Sequence, residues 1–221
     1  IRDRLGEAGI DAVICDSTNA LRGGYSPTEG QVAAGLAKVI QCCDGRVVVG
    51  QAALELAITR PERTTRSFKR FMGTSQPIKL ADKIYSAIEL SSLVLQSLKA
   101  DAERFLDRPV DEAVITVPAY FNDHQRKATK AAGEVAGLKV RRVINEPTAA
   151  ALTYGFQNRD QEQHLLVFDL GGGTFDVTLM ELFEGNLEII ATAGDTFLGG
   201  EDFTRRIAAW ILRQQDKSFE D

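Results

Sequence analysis

Apolar and polar positions alternate along this chain with two periods, near two and near 3.6 residues, and the period switches several times. The run Ala12-Val-Ile-Cys15 reads as a short strand, followed by a loop rich in Gly, Ser and Pro as far as Thr28. Val32, Leu36, Val39 and Ile40 share one face of a helix predicted over Glu29–Ile40. Asp44-Gly45 marks a turn, Arg46–Val49 a strand and Gln51–Thr59 a helix. Ser86 and Glu89 have the spacing of a capping box. The helix they open carries Leu90, Leu93, Val94, Leu98, Ala102 and Phe105 at helical spacing. Glu112–Thr116 reads as a strand ending at Pro118, and Asn122 with Gln125 as a second cap. That helix runs to Ala136 and stops at Gly137, the residue type preferred just past a helix end. Lys139–Ile144 is a strand, and Glu146-Pro147 opens a helix with proline in its first turn, where its missing N–H leaves no bond unmade. Leu165–Phe168 reads as a buried strand, and Thr174–Leu182 with Leu187–Thr192 as a hairpin through Glu184-Gly185-Asn186. A last helix starts near Gly200 and includes Ile207, Trp210 and Ile211. Strands and helices alternate over much of the chain, so the fold class is α/β with antiparallel hairpins mixed in.

Composition changes this picture little. The 221 residues suffice for one large domain or two small ones, and 44% hydrophobic with 26% charged residues is ordinary for a globular protein. A net charge of −5 argues against nucleic acid as a partner, because there is no basic excess to release counterions. No apolar run approaches the roughly 20 residues of a membrane helix, so no membrane partner is expected. The start is charged, carries no signal-peptide core and is not Met, so the chain reads as a fragment. Cys15, Cys42 and Cys43 have no CxxC spacing, which points to a reducing compartment, and a cytoplasmic location is expected. His124 and His164 are far apart and read as surface residues rather than zinc ligands.

The candidate chemistry sits at Asp169-Leu-Gly-Gly-Gly-Thr-Phe-Asp176. Four apolar residues lead into Asp169, and Gly171, Gly172 and Gly173 expose backbone N–H groups without side-chain obstruction, a natural cradle for phosphate oxygens. Two carboxylates beside such a cradle would repel phosphate without a cation between them, so Asp169 and Asp176 suggest a hydrated Mg²⁺.

The string LVFDLGGGTFDVTLMEL resembles the second phosphate loop of the actin, sugar kinase and heat-shock seventy superfamily, and within it the DnaK-like chaperones. Four further strings resemble that family in order and spacing: Ser67-Phe-Lys-Arg-Phe-Met-Gly73, Val114-Ile-Thr-Val-Pro-Ala-Tyr-Phe-Asn-Asp123, Ile144-Asn-Glu-Pro-Thr-Ala-Ala-Ala-Leu152 and Gly194-Asp-Thr-Phe-Leu-Gly-Gly-Glu-Asp202. The resemblance covers about residues 44–215, and the hairpin Leu182-Phe-Glu-Gly185 looks most like the HscC-type branch. It implies a partial actin-like ATPase fold, the heat-shock seventy nucleotide-binding domain cut at both ends, with ATP or ADP and Mg²⁺ as cofactors. Lys69 matches the lysine that contacts the γ-phosphate and attacking water, and Glu146 the carboxylate that senses the Mg²⁺ shell. Asp169 matches the carboxylate that holds Mg²⁺ through water, and Asp176 the second acid near the attacking water. Gly171, Gly172, Gly173 and Thr174 would hold phosphates by backbone N–H, and Gly199, Gly200 and Glu201 match a loop lining the nucleotide cleft. Pro118 and Arg126 match the proline switch and arginine that relay nucleotide state. The resemblance also implies ATP hydrolysis coupled to a grip on unfolded polypeptide, with J-domain co-chaperones and nucleotide-exchange factors as partners.

Residues 1–43 depart from this pattern. They show no D-x-G-T-T first phosphate loop. The string from Gly9 to Glu29 instead resembles metallo-β-lactamase-fold ribonucleases of the ribonuclease J type, without any of the HxHxDH metal ligands. The expected organisation is therefore an unrelated segment over 1–43 and a partial ATPase domain over 44–221, with a small subdomain around 70–115 and a sheet core around 112–215. The segment is expected not to complete the main sheet, and the adenosine-binding subdomain would lie beyond Asp221. ATP binding and hydrolysis are accordingly expected to be weak. A sugar-kinase-like phosphotransferase, a non-catalytic remnant and a hydrolase fragment driven by the first 42 residues are the other readings.

Overall fold

The computed structural model describes residues 13–14, 40–43, 46–49, 53, 57–155 and 163–218. Strands β1 (Val13–Ile14), β2 (Ile40–Cys43), β3 (Arg46–Val49) and β4 (Thr64–Thr65) come first, followed by a 3-10 turn at Phe68–Phe71. Strands β5 (Ile78–Leu80) and β6 (Lys83–Tyr85) lead into helix α1 (Ala87–Leu106). Then come β7 (Glu112–Val117), α2 (Asp123–Val135), β8 (Lys139–Asn145) and α3 (Glu146–Gly155). Strands β9 (Gln163–Leu170), β10 (Phe175–Phe183) and β11 (Asn186–Asp195) precede α4 (Gly200–Arg213).

Both predicted capping boxes form. The Ser86 hydroxyl accepts from the Glu89 N–H while Glu89 accepts from the Ser86 N–H, and Asn122 and Gln125 do the same for α2. The apolar face of α1 ends on Leu106 rather than on Phe105, which is exposed. The predicted helix over Glu29–Ile40 lies outside the described residues apart from Ile40, which begins β2. Of Gln51–Thr59, Ala53 is helical and residues 57–59 form a turn, the rest lying outside the described residues.

The sheet core around 112–215 is built of two three-stranded sheets. In the first, β1, β7 and β8 run parallel in that order. Val13 and Ile14 pair with Val114 and Ile115 at the edge of this sheet and not at its centre; the rest of the loop after them lies outside the described residues. Helices α1 and α2 supply Leu95, Ala128 and Ala132 to a core against Ala113, Ile115, Val117 and Val140. A second cluster of Phe68, Leu80, Leu90 and Val94 roots the 3-10 turn on α1. Phe68 is therefore an anchor, and it fixes where its neighbours Lys69 and Arg70 stand.

The second sheet is antiparallel, in the order β11-β10-β9. The β10–β11 hairpin turns at Glu184 (φ 49°) and Gly185 (φ 76°), the two left-handed positions that match strand twist in tight hairpins. Along β10, Asp176, Thr178, Met180 and Leu182 are buried, following the alternation of a strand with one covered face. Leu166 and Phe168 on β9 are exposed, as are Phe203, Ile207, Trp210 and Ile211 on α4. Among the described residues no helix is long and apolar enough to cross a membrane.

Candidate functional site

The parallel strands β7 and β8 end side by side, with Val117 paired to Asn145. In open α/β sheets ligands gather at such carboxyl ends. Beyond β7 come the fully buried Pro118 and the segment Ala119-Tyr-Phe121, and beyond β8 comes Glu146. The Lys69 ammonium donates to Glu146 Oε1 at 2.8 Å and lies 5.8 Å from the centroid of the Phe121 ring. Glu146 is 3% exposed and Lys69 15%, so this ion pair is largely out of water.

The second sheet brings up the other two acids. Asp169 and Asp176 are direct cross-strand partners, which puts both carboxylates on one face at the mouth of the β9–β10 turn. Asp176 Oδ1 is buried without a hydrogen-bond partner among the described residues. Burial pushes its carboxyl above the ordinary value, and the neighbouring Asp169 charge adds to that; Lys69 and a hydrogen bond from the Tyr120 N–H oppose it.

The glycine turn between them is held from one side. Gly200 N–H donates to Gly171 O at 2.9 Å, Glu201 N–H to Gly172 O at 3.0 Å, and Arg70 Nε to Gly173 O at 2.9 Å. In a trans peptide the C=O and N–H point opposite ways. Anchoring these three carbonyls therefore turns the N–H groups of Gly172, Gly173 and Thr174 away from α4 and Arg70. None of those three N–H groups has an acceptor among the described residues. The Gly171 N–H, expected to join them, instead donates to Thr174 O at 2.9 Å and closes the turn. Three aligned N–H groups make an anion cradle.

The loop Gly199-Gly-Glu201 lies directly against this turn. A Cβ on Gly199 would collide with the backbone of Gly172 and Gly173, so glycine is required there by contact rather than by dihedral angle. Glu201 accepts from the Ser67 hydroxyl at 2.6 Å and sits 3.7 Å from Arg66. Asp202, which the sequence alone gave no role, caps α4 by accepting from Gly199 N–H at 2.9 Å and takes a forked contact from Arg70 at 3.3 and 2.5 Å. That guanidinium holds the Asp202 carboxyl below its usual range, helped by the Gly199 N–H. Arg70 was legible only as the neighbour of Lys69, whereas Asp202 had a signal, an acid three residues after a helix start. Ser67, at φ 56°, carries a backbone conformation uncommon for a residue with a side chain.

Arg126 lies farther from the cradle. It is half-buried and donates to Phe121 O, Ala119 O and Asn145 Oδ1 at 3.0, 3.3 and 2.6 Å. It thus ties the segment after Pro118 to the residue preceding Glu146. Among the described residues no group of three or more His, Cys, Asp or Glu side chains could hold a metal by itself.

Comparison with known proteins bears directly on this arrangement. The family described as Hsp70 protein matches residues 75–220, which includes the glycine turn, both acids of the second sheet and Glu146. The chain belongs to the Hsp70 family. It is 51% identical over 173 residues to the chaperone protein DnaK of Thermotoga neapolitana and, equally, to that of Thermotoga petrophila. Those matches take in 78% of this chain and 29% of each relative, so the chain spans less than a third of the proteins it resembles. The architecture described above is accordingly a portion of the Hsp70 nucleotide-binding, actin-like ATPase fold.

Proposed function

We propose that this chain binds ATP and ADP through the Gly172–Thr174 cradle, as the nucleotide-binding part of an ATP-driven chaperone. The observation that carries this reading is the anchoring of three consecutive carbonyls on one side of the glycine turn. It presents three N–H donors with no acceptor among the described residues, in a site that also holds the half-buried Lys69 ammonium. In the proposed site Lys69 stabilises charge on the transferring phosphoryl oxygens, and Glu146 holds that ammonium in place. Asp176, the cross-strand partner of Asp169, stands as the second acid near the attacking water and accepts its proton.

Mg²⁺ fits the residues present. The orphaned Asp176 Oδ1 and its cross-strand partner Asp169 match an ion held by one or two carboxylates, waters and phosphates. Such an ion would supply positive charge against the phosphates at Asp169 and Asp176. Coupling to unfolded polypeptide through Pro118 and Arg126, and partnership with J-domain proteins and exchange factors, are part of the proposal. They draw support from the DnaK relatives and from the hydrogen bonds linking Arg126 to Asn145 beside Glu146.

Calorimetric titration of the chain with ATP, with and without Mg²⁺, tests the reading. Saturable one-site binding that strengthens with Mg²⁺ and weakens in Asp169→Asn supports it. No heat at millimolar ATP, or binding indifferent to Mg²⁺ and to Asp169, would overturn it.

A further inference from the structure

We infer that Arg70 is a positioning residue for phosphate recognition, acting on a bound phosphate chain through the peptide it fixes and not by touching it. The inference rests on the reading of Gly172–Thr174 as a phosphate cradle.

Two of the three anchored carbonyls, Gly171 O and Gly172 O, are held by the main chain of α4. The third, Gly173 O, is held by a side chain, Arg70 Nε at 2.9 Å. The peptide that carries Gly173 O also carries the Thr174 N–H, so the aim of that donor is set by Arg70. Arg70 is itself fixed. Its other two nitrogens fork onto Asp202, which is tied in turn to the Gly199 N–H, and its guanidinium carbon lies 5.9 Å from the Phe197 ring centroid. Three of its nitrogens are thus spent on protein acceptors, and its charge is met by a carboxylate.

Arg70 also stands next to Lys69 on the 3-10 turn rooted by buried Phe68. One rigid piece therefore carries the ammonium proposed for the γ-phosphate and the side chain that aims the third N–H. It sets the distance between them without any element spanning the gap. A lysine in place of Arg70 would keep the charge but could not meet Gly173 O and both Asp202 oxygens together, because only guanidinium has that planar fork.

The test uses the whole chain as wild type, Arg70→Ala, Arg70→Lys and Asp202→Asn. Backbone ¹⁵N relaxation is measured first, without nucleotide. The wild-type Gly173 and Thr174 amides should show order parameters near the rigid value of about 0.85, and both Arg70 variants should fall toward about 0.6. Calorimetry then compares ATP and ADP. Arg70→Ala and Arg70→Lys should weaken both by roughly tenfold or more, the scale of one lost charge-assisted hydrogen bond. The far-UV circular dichroism should stay that of the wild type while the thermal midpoint falls modestly, and Asp202→Asn should show a smaller effect of the same kind. Unchanged order parameters in Arg70→Ala, or full rescue by lysine, would each overturn the assignment. If the wild type binds no nucleotide, the cradle reading fails, and the relaxation data alone still decide whether Arg70 fixes this peptide.

Discussion

Asp176 is 3% exposed, has one oxygen without a partner among the described residues, and faces a second carboxylate across the strand pair. Its raised proton affinity in the fold means that the folded protein binds this proton more tightly than the unfolded chain does. Stability therefore falls as pH rises from the ordinary value of 3.8 through the folded value, and the penalty stays in full above it. Asp176→Asn should relieve that penalty and raise the thermal midpoint at neutral pH. The gain should shrink as pH falls through the folded value and vanish below 3.8, which a series of melts across pH would establish. Lys69 acts in the opposite sense. Removing its ammonium takes away the cation 2.8 Å from a carboxylate that is 3% exposed. Lys69→Ala should destabilise the fold by about 1–3 kcal/mol, and adding Glu146→Gln should recover much of that loss. Denaturant titrations of the two variants would measure both numbers.

At the scale of elements, the glycine turn depends on its fit against the start of α4. Gly199→Ala would drive a methyl into the Gly172–Gly173 backbone. That contact cannot yield by a side-chain rotation, so the turn and the helix must separate and the hydrogen bonds from Gly200 and Glu201 to Gly171 O and Gly172 O lengthen. The variant should retain the circular dichroism of the parent and lose ATP affinity by roughly tenfold or more. Most strands, helices and caps of residues 86–195 were legible because each follows from local signals: a capping box at Ser86 and Asn122, a proline beside Glu146, a turn at Glu184-Gly185; the burial expected for Leu165–Phe168 was not, since Leu166 and Phe168 face outward on β9. The residues that hold the site together were not. Arg70 reaches Gly173 and Asp202 across 103 and 132 positions of sequence, and no periodicity encodes such a pairing. The exposed stripe Phe203, Ile207, Trp210 and Ile211 shows the same limit from the other side, since helical spacing declares an apolar face but not whether anything covers it. Likewise the parallel pairing of Val13 with Val114 is a long-range choice that a strand of two residues cannot announce.

Across the whole molecule, burial is uneven, and this should govern how it opens. Among the described residues, buried apolar side chains fall almost entirely between Ala53 and Ala151, whereas the second sheet and α4 contribute only Met180 and Leu182. Beside the packing of α3 on β9, the two parts meet at the glycine turn through polar contacts: Arg70 to Gly173 and Asp202, Ser67 and Arg66 to Glu201, and the Tyr120 N–H to Asp176. A polar joint contributes little once water can enter it, so the second part should open at lower free energy than the first. Amide hydrogen exchange on the chain should therefore be slowest in β7, β8, α1 and α2, faster in β9–β11, and fastest in the C-terminal half of α4, where no residue is buried. The joint also has a pH signature. Arg70 depresses the proton affinity of Asp202, so this contact contributes its full stability above the ordinary value of 3.8 and loses it as pH falls through the lower folded value. The ranking of exchange rates should hold from neutral pH down to about pH 4 after correction for intrinsic rates. ATP with Mg²⁺ should then slow β9, β10 and the first turn of α4 selectively, because ligand binding stabilises the state whose parts it bridges. Uniform protection across both sheets in the absence of nucleotide would show that the polar joint, rather than the apolar core, sets the cooperativity of this fold.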